Sequence, residues 1–399
     1  MTLTATRNDL LDIVESYDQA DASVEKLFGG EGRSVRRRVK TADYQAQLAE
    51  AAGIIAAAYE SRRGLYVLKE ALTTSDFPLL FGDIIDRQLL ANYRAFPVTW
   101  PKYIKRARVR DFRSVKRFAI NGAEATLATV AQQEEYPESK VTDFSYTYFV
   151  KKYGRGIPFS WEDMVNDDLD ALKDIPQRFG KAAARTEEKF ATQLLFDANG
   201  PIATFFSTAN HNRVHTENGA AVNNPHLGIA GLQDAYTVLG SMVDTEGEPI
   251  VIDGVTLVVP PALKVVAENI LNATELWLNV AGGDANQQVH TVNWMRDNTT
   301  LAVNPYIPLV ASGANKNRSW LLCADPNGDR PAAEMGFLQG HEEPEVFMQQ
   351  PNSVRVGGGA VDPMDGDFDT DSIRYKVRHV LGGVVMDPRM MVGSNGSDA

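Results

Sequence analysis

The stretch from residue 103 to residue 160 constrains this chain more than any other. Phe144, Tyr146, Tyr148 and Val150 alternate at period two, and so does the other face, Ser145, Thr147 and Phe149. That period belongs to β-strands. A polar stretch, Gln132 to Thr142 with Pro137, separates this run from the strand signals before it. The spacing predicts a long hairpin with a mobile tip. A two-stranded ribbon is only marginally stable alone in water. With Tyr and Phe on both faces, it must lie on a partner surface.

Composition narrows what the rest can be. The chain has 399 residues, 44% hydrophobic and 23% charged. This balance excludes wholesale disorder and collagen-like repetition. The length suggests two or three domains, at about 150 residues each, and is ample for a buried core. The single cysteine, Cys323, forbids an intrachain disulfide. The most apolar run, Val255 to Ala267, is short and broken by Pro260 and Pro261, so no transmembrane span is expected. The first residues, MTLTATRNDLLD, lack the apolar core of a signal peptide. A cytosol-like compartment, or something assembled there, is the expected location.

Charge is unevenly spread over a chain of net −12 and pI near 5.1. Such a chain is globally a poor open binder of nucleic acid. Lys102, Lys105, Arg106, Arg108, Arg110, Arg113, Lys116 and Arg117 face Asp111 alone, a local net of +7. Between Asp325 and Asp371, eleven acidic residues meet only Arg330 and Arg355, a net of −9. Like charges at this density repel unless opposite charge is near. Either these are two solvated faces, or the basic strip of one copy docks on the acidic patch of another.

Along the chain, Leu48, Ala51, Ala52, Ile55, Tyr59 and Arg62 recur at helical spacing in an arm-like first 75 residues, behind an earlier helix around Leu10 to Leu27. A helix is expected near Asp83 to Tyr93, ended by Pro97 and Pro101. Ser160 can cap a short helix over Trp161 to Asn166. The strongest helix pattern runs from Pro176 to Phe196, marked by Phe179, Ala183, Thr186, Phe190 and Leu194, with Pro176 in its first turn. Leu232 to Val243 predicts another helix. Pro249 to Ile252 and Val255 to Val259 predict a hairpin about Asp253-Gly254. Leu263, Val266, Ile270 and Trp277 mark a further helix, giving an α+β module. From Ala332 the chain reads as strand, with Ile373, Tyr375, Val377 and His379 alternating with Arg374, Lys376 and Arg378.

No constellation forms an active site, and no catalytic residue, cofactor or metal is expected. His211 and His215 have a zinc-like spacing, with His226 downstream, but they sit among turn formers and no H-E-x-x-H glutamate accompanies them. A metal-dependent hydrolase built on His211 and His215 is the distant alternative. Asp365, Asp367, Asp369 and Asp371 begin like a calcium loop, yet Thr370 stands where glycine is needed and Lys376 where the bidentate glutamate belongs. Gly357-Gly358-Gly359 lacks the following Lys-Ser/Thr of a phosphate loop. Cys323, within Trp320-Leu321-Leu322-Cys323, reads as buried filler. Glu187 and Glu188 are expected to be solvated helix acids.

In sum the order is a helical arm, a basic hairpin, a long helix, an α+β module and returning strands. This resembles the major capsid proteins of tailed bacteriophages, especially the Mu-like major head subunit group. The segments that carry the resemblance are TSDFPLLFGDIIDRQLLANY (Thr74 to Tyr93), KKYGRGIPFSWEDMVNDDLDAL (Lys151 to Leu172), IPQRFGKAAARTEEKFATQLL (Ile175 to Leu195), VTLVVPPALKVVAENIL (Val255 to Leu271), AEMGFLQGHEEPEVF (Ala333 to Phe347) and YKVRHVLGGVVMDPRMMVG (Tyr375 to Gly393). The resemblance implies the α+β, HK-ninety-seven-like capsid fold. It assigns 1–75 to an N-terminal arm, and 76–111, 150–225 and 334–399 to a peripheral domain. Residues 112–149 become an extended loop and 226–333 an axial domain. It further implies hexamers and pentamers in an icosahedral shell around double-stranded DNA, assembled in the host cytoplasm. Portal and scaffolding proteins would be partners, and no membrane would be. An encapsulin-type shell enclosing cargo enzymes shares the fold and is the alternative. Some relatives crosslink through a loop lysine, for which Lys116 and Lys140 qualify by type alone. In this setting Arg106, Arg108, Arg110, Arg113 and Arg117 are expected to hold the loop base against Glu342, Glu343 and Glu345 of a neighbour. The rival reading turns the strip to the lumen and to packaged DNA.

Overall fold

A computed structural model describes residues 50–54, 77–121, 130, 142–160, 169–217, 220–245, 247–252, 254–279, 288–328, 330–349, 352, 356 and 367–397. The fold is mixed α+β, as expected. Of the N-terminal arm, residues 50–54 are helical, with Ala51 and Ala52 buried. The rest of the arm lies outside the described residues. So do the ribbon tip over 131–141, the short helix after Ser160 and the triple glycine.

In chain order, α1 is Phe77–Ala95, longer at its start than the sequence pattern indicated. Strands β1 (Lys105–Val109), β2 (Val115–Asn121), β3 (Thr142–Tyr148) and β4 (Lys151–Ser160) follow. Helix α2 is Leu169–Leu195. Two small hairpins come next, β5 (Phe196–Asp197) with β6 (Gly200–Pro201), and β7 (Thr216–Glu217) with β8 (Ala220–Ala221). Helix α3 (Ile229–Gly240), β9 (Val255–Val259), α4 (Lys264–Asn272), β10 (Glu275–Asn279), β11 (Gln288–Val292), β12 (Thr299–Val303) and β13 (Trp320–Ala324) build the central region. The chain returns through β14 (Ala333–Leu338), β15 (Glu345–Met348), β16 (Ser372–Val385) and β17 (Met391–Ser394).

Several expectations need correction. Helix α2 starts seven residues before Pro176, which lies inside it. In a helix interior proline removes one N–H donor and its ring crowds the carbonyl four residues earlier, a local cost that the rest of this long helix must offset. The helix stops at Leu195, because Phe196 enters the β5–β6 hairpin whose turn Gly200 closes at φ +120°. Helix α3 ends at Gly240, so Met242 and Val243 lie beyond it. The expected hairpin about Asp253-Gly254 does not form: Pro249 bridges Val243, and β9 pairs in parallel with β12 and antiparallel with β13. The run VTLVV is buried from Thr256 to Val259, which suits a central strand covered on both faces. Trp277 belongs to strand β10 rather than to a helix.

The described chain divides into two compact units. One comprises Met1–Pro97, Lys151–Thr186 and Leu338–Leu381. Within it β16 pairs with β4 on one side and β15 on the other, both antiparallel. The alternation read from the sequence holds: Tyr375, Val377 and His379 are buried, while Arg374 and Lys376 are exposed. Tyr93 of α1 meets His379 edge to face at 6.1 Å, so α1 covers the apolar side. Helices α1 and α2 approach closely at Gly180, where a Cβ would sit 2.5 Å from the Leu89 carbonyl oxygen and 2.9 Å from the Tyr93 nitrogen. Alanine in a helix interior normally gains about 1 kcal/mol over glycine. Here the added methyl meets backbone that cannot rotate away, and overpacking costs about 1–3 kcal/mol. Gly180→Ala is therefore expected to lower the melting temperature; an unchanged or raised one would refute this account of the contact.

The other unit comprises Val98–Val150, Glu187–Phe337 and Gly382–Ala399. Its centre is the sheet β12-β9-β13-β17. Leu257, Val259, Trp320, Leu322 and Val392 pack with Leu232, Ala235 and Leu239 of α3 and Ala267, Ile270 and Leu271 of α4. Cys323 is wholly buried in β13, and burial pushes its thiol pKa well up, away from nucleophile chemistry.

Candidate assembly interface

The ribbon β2–β3 pairs in register from Val115↔Tyr148 to Asn121↔Thr142. Its root is fastened by one buried carboxylate. Glu334, on the otherwise apolar strand β14, accepts a hydrogen bond from Arg117 Nε at 2.7 Å and another from the Tyr148 hydroxyl. Arg117 also donates through a terminal nitrogen to the Arg108 carbonyl at 3.2 Å. Burial alone would lower the Arg117 pKa, but the hydrogen bond and charge of Glu334 raise it overall. Burial, then the same carboxylate, raise the Tyr148 pKa, so its hydroxyl stays neutral and donates. Gly336 leaves room for this: a Cβ there would lie 2.5 Å from the Tyr148 hydroxyl and 2.7 Å from Val109.

Outside this node the ribbon and its base expose aromatic surface. Phe112 is 55% exposed, Phe118 65% and Phe149 52%. Three exposed aromatic side chains on and beside one ribbon make it the candidate contact surface of this chain.

The basic strip is not one uniform face. Arg106 stacks over Phe337 at 4.5 Å, Arg108 is half-buried, and Arg117 turns in to Glu334. Arg110 and Arg113 lie exposed between β1 and β2, Arg113 with 92% of its side chain in solvent and 3.9 Å from Asp111. Lys116 is exposed on β2, and Lys140 lies outside the described residues. Of the acidic candidates, Glu343 pairs with Arg94 at 2.7 Å. Glu345 pairs with Arg378 at 2.5 Å and lies 2.8 Å from His341 Nδ1. Glu342 is half-buried beside them. Within its own subunit Arg117 pairs with Glu334, from the same acidic stretch.

Sequence reasoning missed Glu334 as a tether, although a lone acid inside the apolar run AEMGFL was the available signal. It also misplaced Glu187 and Glu188, which are each 1% exposed rather than solvated. Glu188 accepts from the Thr99 and Trp100 backbone nitrogens at 2.8 and 3.3 Å and from the Thr99 hydroxyl, while Glu187 accepts from the Trp100 indole at 3.2 Å. Together they close the chain leading from Val98 into β1 against α2. Burial raises the Glu188 pKa, partly offset by the Thr99 and Trp100 hydrogen bonds, with Glu187 adding a smaller upward push. The sign follows. From its ordinary value of 4.5 up to the raised value, the folded chain keeps a proton that the unfolded chain releases. Stability therefore falls as pH rises through that window. Glu188→Gln, which cannot titrate, is expected to flatten the slope of melting temperature against pH there; an unaltered slope would refute the assignment.

The remaining candidates are placed apart from this surface. His211 is an exposed turn residue at φ 55°, His215 lies 2.7 Å from the Arg213 carbonyl, and His226 is exposed. Among the described residues no group of three or more His, Cys, Asp or Glu is arranged to hold a metal. Asp367 is satisfied locally, accepting from the Thr370 hydroxyl at 2.7 Å and from the Thr370 and Ser372 nitrogens, which lowers its pKa. No helix among the described residues is long and apolar enough to cross a membrane.

A family model described as phage capsid protein matches residues 145–394, well over half the chain. Solved structures similar to it include one from Gordonia phage Cozz, at 15% identity and TM-score 0.42, covering 75% of this chain and 86% of that one. Another is the capsid structure of the cyanophage P-SCSP1u, at 11% identity and TM-score 0.45, covering 75% and 88%. A virus-like particle from Pyrococcus furiosus is similar at 10% identity and TM-score 0.39, covering 79% and 99%. No curated protein matches the chain. The chain belongs to the phage capsid protein family. It is a structural component of the virion, a capsid protein that assembles into the shell, and the encapsulin alternative is not favoured.

Proposed function

We propose that this chain is the head-shell subunit of a tailed phage, forming hexamers and pentamers of an icosahedral shell around double-stranded DNA. Portal and scaffolding proteins would be its partners, and assembly would take place in the host cytoplasm. The observation that carries this beyond family membership is the ribbon: a two-stranded element with a tethered root and exposed aromatic base. Such an element gains its stability by lying on another copy, and repeated heterologous contacts close into rings. The ribbon supports an extended loop over 112–149, α2 a peripheral domain over 150–225, and the β9-centred sheet with α3 and α4 an axial domain over 226–333. Residues 76–111 and 334–399 complete the peripheral domain, and 1–75 form the arm. The exposed Arg110 and Arg113 would clamp the ribbon base onto a neighbour's acidic stretch. Electron microscopy of the purified protein tests the reading: closed shells or capsomers are expected, and dispersed monomers at high concentration would overturn it.

A further inference from the structure

We propose that the open face of the sheet β4-β16-β15 binds the phosphate backbone of packaged double-stranded DNA. This rests on the reading above that the shell encloses DNA.

Residues directly opposite one another in an antiparallel pair project from the same side of the sheet. On β16 the side opposite Tyr375, Val377 and His379 carries Arg374, Lys376 and Arg378. Their partners on β4 are Pro158, Gly156 and Gly154, and Val380 next along faces Lys152. On β15, Phe347 lies opposite Lys376 and Glu345 opposite Arg378. Four cations and one carboxylate thus share this side. Arg374, Lys376 and Lys152 are exposed, as are Gly154 and Gly156.

The arrangement is preorganised. Phe347 holds two cations at its ring, Arg378 at 4.5 Å and Lys376 at 5.4 Å. Two-residue steps along a strand place the basic side chains about 6.8 Å apart, in a regular row instead of a scattered cluster. Beside that row β4 presents glycine, so no side chain obstructs approach to the cations. At Gly154 this bareness is enforced, since a Cβ would lie 2.8 Å from the Val377 carbonyl oxygen. A row of cations on a bare sheet reads charge without sequence, as phosphate contacts do. The face is positive on a chain of net −12, so the acidic surface elsewhere would repel the same ligand and leave only this face and the exposed part of the basic strip to attract it.

The test measures binding of a short mixed-sequence DNA duplex to the full-length protein across a salt series. The comparison variant is Lys152→Gln with Arg374→Gln and Lys376→Gln, which leaves the Arg378–Glu345 pair intact. The variant is expected to bind at least about tenfold more weakly, and its log K against log[salt] slope to shrink by about 0.9 for each cation removed. Lys376→Gln alone guards against a folding artefact and should give about a third of the slope change. Unchanged affinity and slope overturn the proposal. So does competition by polyaspartate as strong as by duplex, which would assign the face to an acidic polypeptide, or lost shell assembly with DNA binding intact, which would make it a contact between copies. Microscopy of the wild type separates the two readings. Shells without duplex binding sink the DNA face alone, and duplex binding without shells sinks the head-subunit reading alone.

Discussion

Glu334→Ala is expected to release the ribbon from its own subunit before any neighbour is involved. The substitution removes the acceptor shared by Arg117 and Tyr148 and strands a guanidinium that is only 34% exposed on its side chain. Breaking a buried pair from one side costs about 3–5 kcal/mol; with Arg117 partly in solvent, about 3 kcal/mol is the better figure. Tyr148→Phe keeps the ring and loses one hydrogen bond, so about 1–2 kcal/mol is expected. Two readouts separate a ribbon defect from general instability. Thermal unfolding should show the loss, and limited proteolysis should cut first between residues 112 and 149. If Glu334→Ala protein melts like wild type and its ribbon resists protease equally, the carboxylate is not the tether.

The second large effect should appear only on assembly. Arg110→Glu with Arg113→Glu changes two exposed side chains, so the isolated subunit should melt within about 0.5 kcal/mol of wild type. A surface ion pair contributes only about 0–1 kcal/mol. Reversal turns attraction into repulsion, however, and repeats it at every copy of the contact. Shell formation should be lost even without DNA. Because Glu343 and Glu345 already serve Arg94 and Arg378 in their own subunit, the exposed Asp369 and Asp371 of the same acidic stretch are the better partners. Asp369→Lys with Asp371→Lys should partly restore assembly. Normal empty shells that fail only in packaging would discard the clamp in favour of a lumen-facing strip.

What could be read from the sequence was whatever repeats locally. Tyr375, Val377 and His379 against Arg374 and Lys376 gave a strand and its buried face correctly, because period two states both at once. The α2 stripe gave the helix but only part of its buried face. Phe179 and Ala183 are buried, while Thr186, Phe190 and Leu194 are half-buried. The fully buried positions run through Ala184, Ala191 and Leu195 and through Glu187 and Glu188, which were assigned by residue type to solvent. Their burial depends on the Thr99 and Trp100 donors, nearly ninety residues earlier, which no local pattern encodes. The failed hairpin at Asp253-Gly254 has the same cause. Val255–Val259 pairs with β12 and β13, partners distant in sequence whose apolar faces outbid the adjacent strand. The charge strips were visible, but which arginine takes which carboxylate was not, since Arg117 found Glu334 across more than two hundred residues.

Strand β16 also imposes an order on how the protein comes into being. Its pairing joins Lys151 to Leu381 and Ser160 to Ser372, more than two hundred residues apart, and β17 completes the second sheet beside β13. Domains fold during synthesis as their segments emerge from the ribosome. Neither of the two larger sheets can close until nearly everything up to Ser394 has been made. A nascent or prematurely terminated chain therefore lacks the finished surfaces through which copies recognise one another. Incomplete products would be left to proteolysis instead of being built into a lattice where one faulty position weakens its neighbours.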